Sequence, residues 1–296
     1  MGVTLLLPFY FLIFCPMYWQ TSRRQISLDR PLVMAILNVT PDSFSDGGQL
    51  VTVDDVLRQA ERVIAEGADI LDIGGESTRP GSSRVPVDDE IRRVVPAIEA
   101  IAKRFGVPIS IDTSKAQVAT SALAAGAEII NDISGLRFDE RIGEVAAATG
   151  AGLVLMHSRG DFEEMHKQPE VADIMREVAD GLRSAIAKAK SSGVADECIA
   201  LDVGIGFGKT QDQNLELLAK LGKLAAEFSG HPMLIGTSRK SFIGKLSGGA
   251  PVDGRLAGSV ATAVIAVWNG ANIIRVHDVK ESTDAVKIIG SIGDQL

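Results

Sequence analysis

The stretch GADILDIGGESTRP, residues 67–80, decides the fold. A Gly-Ala-Asp turn leads into DILDIGG (69–75), which reads as a short buried strand, and the strand breaks into a polar Glu-Ser-Thr-Arg tip. Before it lies VDDVLRQAERVIAEG and after it DDEIRRVVPAIEAIAKRFG. In both segments apolar residues recur at three- and four-residue spacing, the period of an amphipathic helix, and both end at a glycine. Helix, strand, polar tip and helix in that order make one unit of a parallel α/β sheet.

The same unit recurs from Pro31 onward. Strands are predicted at 32–38 (LVMAILN), 69–75, 108–113 (PISIDT), 128–134 (EIINDIS), 152–157 (GLVLMH), 198–204 (CIALDVG), 232–238 (PMLIGTS) and 272–278 (NIIRVHD). GAE and GAN mark two more helix-to-strand turns. Eight such units in roughly 265 residues is the size of a parallel barrel. A doubly wound open sheet is the runner-up, but it rarely carries eight strands so evenly spaced. No linker or low-complexity tract divides the chain. The expected architecture is a single eight-fold β/α (TIM) barrel over residues 31–296.

Residues 1–30 are expected outside the fold, as a hydrophobic N-terminal extension. GVTLLLPFYFLIFCPMYWQ has no basic start and no clear cleavage site, so it makes a poor signal peptide. Pro8 and Pro16 interrupt it, and it falls short of the roughly 20 apolar residues of a spanning helix. A cytoplasmic enzyme is the expectation.

The 296-residue chain is 46% hydrophobic, enough for a sizeable core. Its net charge of -8 and pI near 5.1 argue against a nucleic-acid surface, which needs a basic face. They leave room for a small anionic ligand held by local cations. Cys15 and Cys198 make no disulfide framework or zinc spacing, and Cys198 reads as a reduced core thiol.

Polar residues collect where each strand ends: Asn38; Glu76 to Arg79; Asp112 and Thr113; Asn131 and Asp132; His157; Asp202; Ser238 to Ser241; Arg275 and His277. In a barrel that edge is where catalytic residues from different strands converge. Any one of them alone reads as a cap for the next helix, but eight strands in succession do not. Asp112, Asn131 and Asp202 offer acceptors, and the amide a donor, suited to a flat heterocycle bearing N–H groups and a carbonyl. Lys240 adds a cationic donor. Arg275 and His277 are two apart and point the same way, so with Asn38 they suit a phosphate or pyrophosphate. GIGFGKT (204–210) looks like a phosphate-binding loop, yet Gly204 and Gly208 enclose three residues where that motif needs four. No histidine has a partner at zinc spacing; an oxygen-ligated Mg²⁺ that shares substrate phosphates needs little protein.

NVTPDSFSDGG, GGESTRPG, IDTSK, IINDISG, LMH, LDVGIGFGK, SRKSFIG and RVHDV occur in this order, and together they closely resemble the dihydropteroate synthase family from about Pro31 to the C-terminus. The resemblance implies a barrel enzyme of folate synthesis that joins 6-hydroxymethyl-7,8-dihydropterin diphosphate to p-aminobenzoate and releases pyrophosphate, with Mg²⁺ as cofactor. It implies a pterin held by Asp112, Asn131, Asp202 and Lys240, in a slot shaped by Met156 and Phe207. Pyrophosphate is expected against Asn38, Arg275 and His277, with Val276 among the substrate contacts and Asn38 also a Mg²⁺ ligand. Phe44 and Asp46 belong to a first closing loop and Thr78, Arg79 and Pro80 to a second, with Phe44 and Pro80 forming the slot for the benzene ring and Ser241 meeting its carboxylate. Asp46, Arg79, Lys240, Arg275 and His277 are the implied catalytic set, in a dissociative reaction on a homodimer.

Two departures stand out. Val203 occupies the place of the family's usual proline, and the hydrophobic extension is not part of the usual pattern. A pterin-dependent methyltransferase on the same barrel would share the Asp112, Asn131 and Asp202 pocket but has no need of the Arg275 and His277 anion site. A catalytically silent pterin or phosphate binder is the third reading.

Overall fold

The apolar runs form strands where the sequence predicts them: β3 (Leu32–Asn38), β4 (Ile70–Gly74), β5 (Ile109–Asp112), β6 (Ile129–Asp132), β7 (Gly152–Met156), β8 (Ile199–Asp202), β9 (Met233–Ile235) and β10 (Ile273–Val276). The computed structural model describes residues 17–40, 52–79, 81–165 and 167–293. Each strand pairs in parallel with the next, and β10 pairs with both β9 and β3, with Ile273 opposite Leu32 and Val276 opposite Ala35. That closing ladder makes a barrel and excludes the open sheet.

Between the strands run α1 (Val53–Ala65), α2 (Val87–Arg104), α3 (Ala116–Ala125), α4 (Arg141–Thr149), α5 (Ile174–Ser191), α6 (Gln211–Ala219), α7 (Leu221–Glu227), α8 (Ser241–Leu246), α9 (Leu256–Trp268) and α10 (Val279–Gly293). Local chemistry sets their ends. Thr52 with Asp55 and Thr210 with Gln213 form capping boxes at α1 and α6, each satisfying backbone N–H groups a helix start leaves open. The predicted Gly-Ala turns hold Gly67 and Gly126 at φ of +103° and +129°, a region open to glycine at little cost.

Alternation along each strand sorts side chains into two layers. Leu71, Ile73, Ile111, Ile130, Leu153 and Leu201 pack outward against the helices. Leu32, Met34, Ile70, Ile129, Val154, Ala200, Leu234 and Ile273 fill the barrel's floor.

The floor is closed from below by residues that were expected outside the fold. β1 (Tyr18–Gln20) and β2 (Gln25–Ser27) form an antiparallel hairpin, separate from the barrel sheet, and Trp19 is fully buried among the floor residues. Its indole Nε1–H donates to the carbonyl of Cys198 at 2.8 Å. Gly152 makes the room, since a Cβ there would stand 3.2 Å from the indole ring. Arg24 pairs with the buried Glu128, which also accepts from Thr21. The boundary at residue 31 is therefore too late. Trp19 belongs to the packed core, with Met17 and Ile26 against it, because an aromatic run suits a barrel floor as well as it suits lipid. Residues 1–16 lie outside the described residues.

Candidate active site

The inward positions one step above the apolar floor are polar, and all but one carry charge. Asp72 from β4, Asp112 from β5, Asn131 from β6, Asp202 from β8 and Arg275 from β10 all face the barrel mouth, as period-two alternation requires of residues two beyond Ile70, Ile129, Ala200 and Ile273. Arg275 Nε donates to Asp72 Oδ2 at 2.6 Å and Nη2 donates to Asp112 Oδ2 at 2.6 Å. Asn131 Nδ2 donates to the same Asp72 oxygen at 3.1 Å, which leaves its amide oxygen as the acceptor offered to a ligand. Burial favours the neutral form of Asp112 and the Arg275 guanidinium opposes it; the net is an Asp112 carboxyl raised above the ordinary range. For Arg275 burial likewise favours the neutral form, but the two carboxylates outweigh it, so the guanidinium is held more firmly charged than usual.

Asp72 was not anticipated. It is completely buried, its Oδ1 has no hydrogen-bond partner among the described residues, and it sits beneath both Arg275 and Asn131. The sequence did carry a signal, an acid at the inward register of DILDIGG with Ile70 and Gly74 on either side.

A second cluster forms the opposite wall. Asp202 Oδ1 accepts from the N–H of Gly204 at 2.7 Å, and burial raises its carboxyl. Val203 is fully buried in the shell against the helices, so its side chain does not line the pocket. Lys240, immediately before α8, donates to the carbonyl of Ile205 at 2.8 Å and lies 4.0 Å from the centroid of the Phe207 ring. Burial lowers its ammonium to about 8 against the pull of Asp202. Met156 and Phe207 share one apolar cluster with Ile133, Phe162 and Met165. The lysine of GIGFGKT, Lys209, is spent on carbonyls: its ammonium donates to Gly204 at 2.8 Å, Phe207 at 3.0 Å and His157 at 3.2 Å. It staples the loop that presents Phe207 and leaves no phosphate cradle. Gly204 is obligatory there, because a Cβ would fall 1.9 Å from the His157 oxygen.

His277 follows β10, and its backbone N–H and ring Nδ1 both lie 3.1 Å from Ser238 Oγ. The hydroxyl accepts from the backbone N–H and also hydrogen-bonds Nδ1, which fixes the orientation of the ring. Burial, with Arg275 and Arg239 nearby, lowers the imidazole to about 3 and keeps it neutral. Asn38 ends β3, with its Oδ1 and the Asp112 Oδ2 flanking Gly74; a Cβ on that glycine would sit 3.6 and 3.8 Å from them.

Other expected residues lie apart. Val276 is buried in the shell between barrel and helices, so only its backbone faces the site. Thr78 is half-buried, and Arg79 and Ser241 are exposed at the rim. Phe44, Asp46 and Pro80 lie outside the described residues.

Residues 34–277 match the family model of a pterin binding enzyme. Dihydropteroate synthase of Escherichia coli (strain K12) is 47% identical over 266 residues, 89% of this chain and 92% of that protein. The structure of Xanthomonas albilineans dihydropteroate synthase with 4-aminobenzoic acid superposes with a TM-score of 0.88 at 42% identity, over 94% of this chain and 98% of that one. Burkholderia cenocepacia dihydropteroate synthase complexed with 7,8-dihydropteroate gives 0.86 at 44% identity, over 95% and 98%. Close identity across nearly the full length of these relatives, on a barrel whose mouth gathers Asp112, Asn131, Asp202 and Lys240, means that the chain belongs to the dihydropteroate synthase family of pterin-binding enzymes.

Proposed function

We propose that the protein condenses 6-hydroxymethyl-7,8-dihydropterin diphosphate with p-aminobenzoate to give 7,8-dihydropteroate and pyrophosphate. The observation that carries this reading is a set of acceptors, the buried Asn131 and Asp202 with the half-buried Asp112, opposite the ammonium of Lys240 and beside the Met156 and Phe207 wall. A pterin's pyrimidine edge presents N–H groups and one carbonyl. Carboxylates and an amide oxygen meet the former, and Lys240 meets the latter.

Asn38, Arg275 and His277 are proposed for the pyrophosphate end. Carboxylates take two of the five N–H groups of Arg275, leaving others for phosphate oxygens. In the reaction the C–O bond from the pterin methylene to pyrophosphate breaks, a C–N bond to the arylamine forms, and the amine loses a proton. The dissociative order, with pyrophosphate leaving first, suits a site that meets the departing charge with Arg275. Thr78, Arg79 and Pro80 after β4, Phe44 and Asp46 after β3, and Ser241 at the start of α8 are proposed for the p-aminobenzoate end.

No group of three or more acidic, histidine or cysteine side chains gathers to cage a metal among the described residues. The donor set does fit a Mg²⁺ carried largely by the substrate, because Asn38 Oδ1 is a hard oxygen donor beside space that Gly74 leaves open. Bound there, the ion would neutralise charge on the leaving pyrophosphate.

A homodimer is proposed through α9 and its neighbour α10. Ile265 and Trp268 on α9 and Ile288 and Ile292 on α10 are exposed at 46, 45, 63 and 51%, a larger apolar face than a lone barrel helix needs. No helix among the described residues is long and apolar enough to cross a membrane. A cytoplasmic location goes with this reading, as does the free, buried Cys198.

The test is turnover followed by mass spectrometry with both substrates and Mg²⁺. Dihydropteroate and pyrophosphate are expected in equal amounts. Tight pterin binding without product would make the protein a silent binder, and methyl transfer from methyltetrahydrofolate would favour the rival barrel enzyme.

A further inference from the structure

Behind the loop that follows β4 lies a buried ionic cluster that the proposed chemistry does not touch. Lys115 precedes α3, and its ammonium donates to Glu76 Oε1 at 2.7 Å, to Glu90 Oε2 at 2.5 Å and to the carbonyl of Val85 at 2.8 Å. Those three bonds use every N–H it has. Glu76 Oε1 also accepts from the N–H of Val85 at 2.6 Å. The side chains of Lys115, Glu76 and Glu90 are exposed at only 10, 7 and 0%.

Residues 76 and 85 are the two ends of the loop that carries Thr78 and Arg79. One ammonium therefore grips both ends. Above it Ser82 Oγ lies 2.5 Å from the carbonyl of Ser77 and 2.7 Å from that of Arg79 and shares its one proton between them, closing a second tier. Glu90 reaches the strand tip because Gly75 has no side chain; a Cβ there would stand 3.0 Å from Glu90 Cγ. Two carboxylates facing one cation are a poor way to stabilise a fold. Apolar residues of the same volume often do as well or better, so fold stability alone does not account for this cluster.

We infer that Lys115 is a positioning residue that locks the ends of the 76–85 loop, holds Thr78 and Arg79 over the p-aminobenzoate end of the site, and so sets the KM for that substrate while touching neither substrate. The kinetic half of this inference rests on the function proposed above; the clamp itself does not.

Trypsin cleavage after Arg84, at the gripped end, reads the clamp with no substrate present. Lys115→Met is expected to raise that cleavage rate and the KM for p-aminobenzoate at least about fivefold each, with calorimetric pterin affinity within about twofold of wild type. If that variant does not fold, Glu76→Gln decides, since it keeps an oxygen acceptor and loses only the charge; about twofold changes in the same direction are expected. Unchanged cleavage, or equal losses for both substrates, overturns the inference. Faster cleavage with an unmoved p-aminobenzoate KM overturns the positioning role and leaves dihydropteroate formation intact. A wild type that makes no dihydropteroate overturns the proposed function, and the cleavage rates then judge the clamp alone.

Discussion

A carboxylate with no exposure in the middle of a strand is costly unless a cation meets it, and Arg275 is what meets Asp72. The pairing changes what Arg275 can be asked to do. Truncating it would strip the cation from two buried carboxylates at once, so losses would spread to pterin binding as well as to pyrophosphate. Lys240 offers a cleaner test. Its ammonium is lowered to about 8 by burial, with Asp202 pulling the other way. A ligand carbonyl that accepts from the ammonium holds the proton on and raises that value. The Lys240 contribution to pterin affinity should therefore be full below about pH 8 and fall as pH rises through it, by up to about tenfold per unit. Calorimetry between about pH 7 and 9.5 should show the fall in wild type and a weak, flat profile in Lys240→Met. A flat wild-type profile would mean that the ammonium does not donate to the pterin.

Among elements, β7 and α5 are tied by a notch. His157 follows the strand with its side chain turned out of the barrel, and burial, with Lys209, Arg137 and Arg159 nearby, lowers its imidazole to about 2. Gly181, in the middle of α5, leaves the space for that ring: a Cβ would stand 2.4 Å from His157 Cδ2. Alanine is the better helix former by about 1 kcal/mol, so propensity alone says Gly181→Ala stabilises. Overpacking a rigid ring typically costs about 1–3 kcal/mol. Overpacking should win, and thermal melting should show a lower Tm for the variant. Pterin affinity should fall too, because the His157 carbonyl receives Lys209 and crowds Gly204 in the loop that carries Phe207. A raised Tm would show that the ring turns aside freely.

Over the whole molecule, what the sequence made legible was periodic. Eight apolar runs separated by helical spacing gave the barrel, and polar tips in register gave Asn38, Asp112, Asn131, Asp202, Lys240 and Arg275 at its mouth. Partners were not legible, because they join residues far apart in the chain: Asp72 with Arg275, or Lys115 with Glu76 and Glu90. Val276 was drawn into the site by neighbours of opposite orientation. Trp19 was lost because hydrophobicity does not say what a segment will bury against. It closes the end of the barrel opposite the site, and in barrels that end serves stability while the other serves chemistry. Trp19→Ala should separate the two. Emptying a fully buried indole site typically costs about 3–5 kcal/mol, which in a chain of this size corresponds to a Tm lower by on the order of 10 °C. Both substrate KM values measured well below the new Tm should stay within about twofold of wild type, since the floor from Met34 to Ile273 lies between the indole and the pocket. Equal damage to activity at low temperature would mean that the floor does not insulate the mouth from the plug, and that the hairpin helps to shape the site.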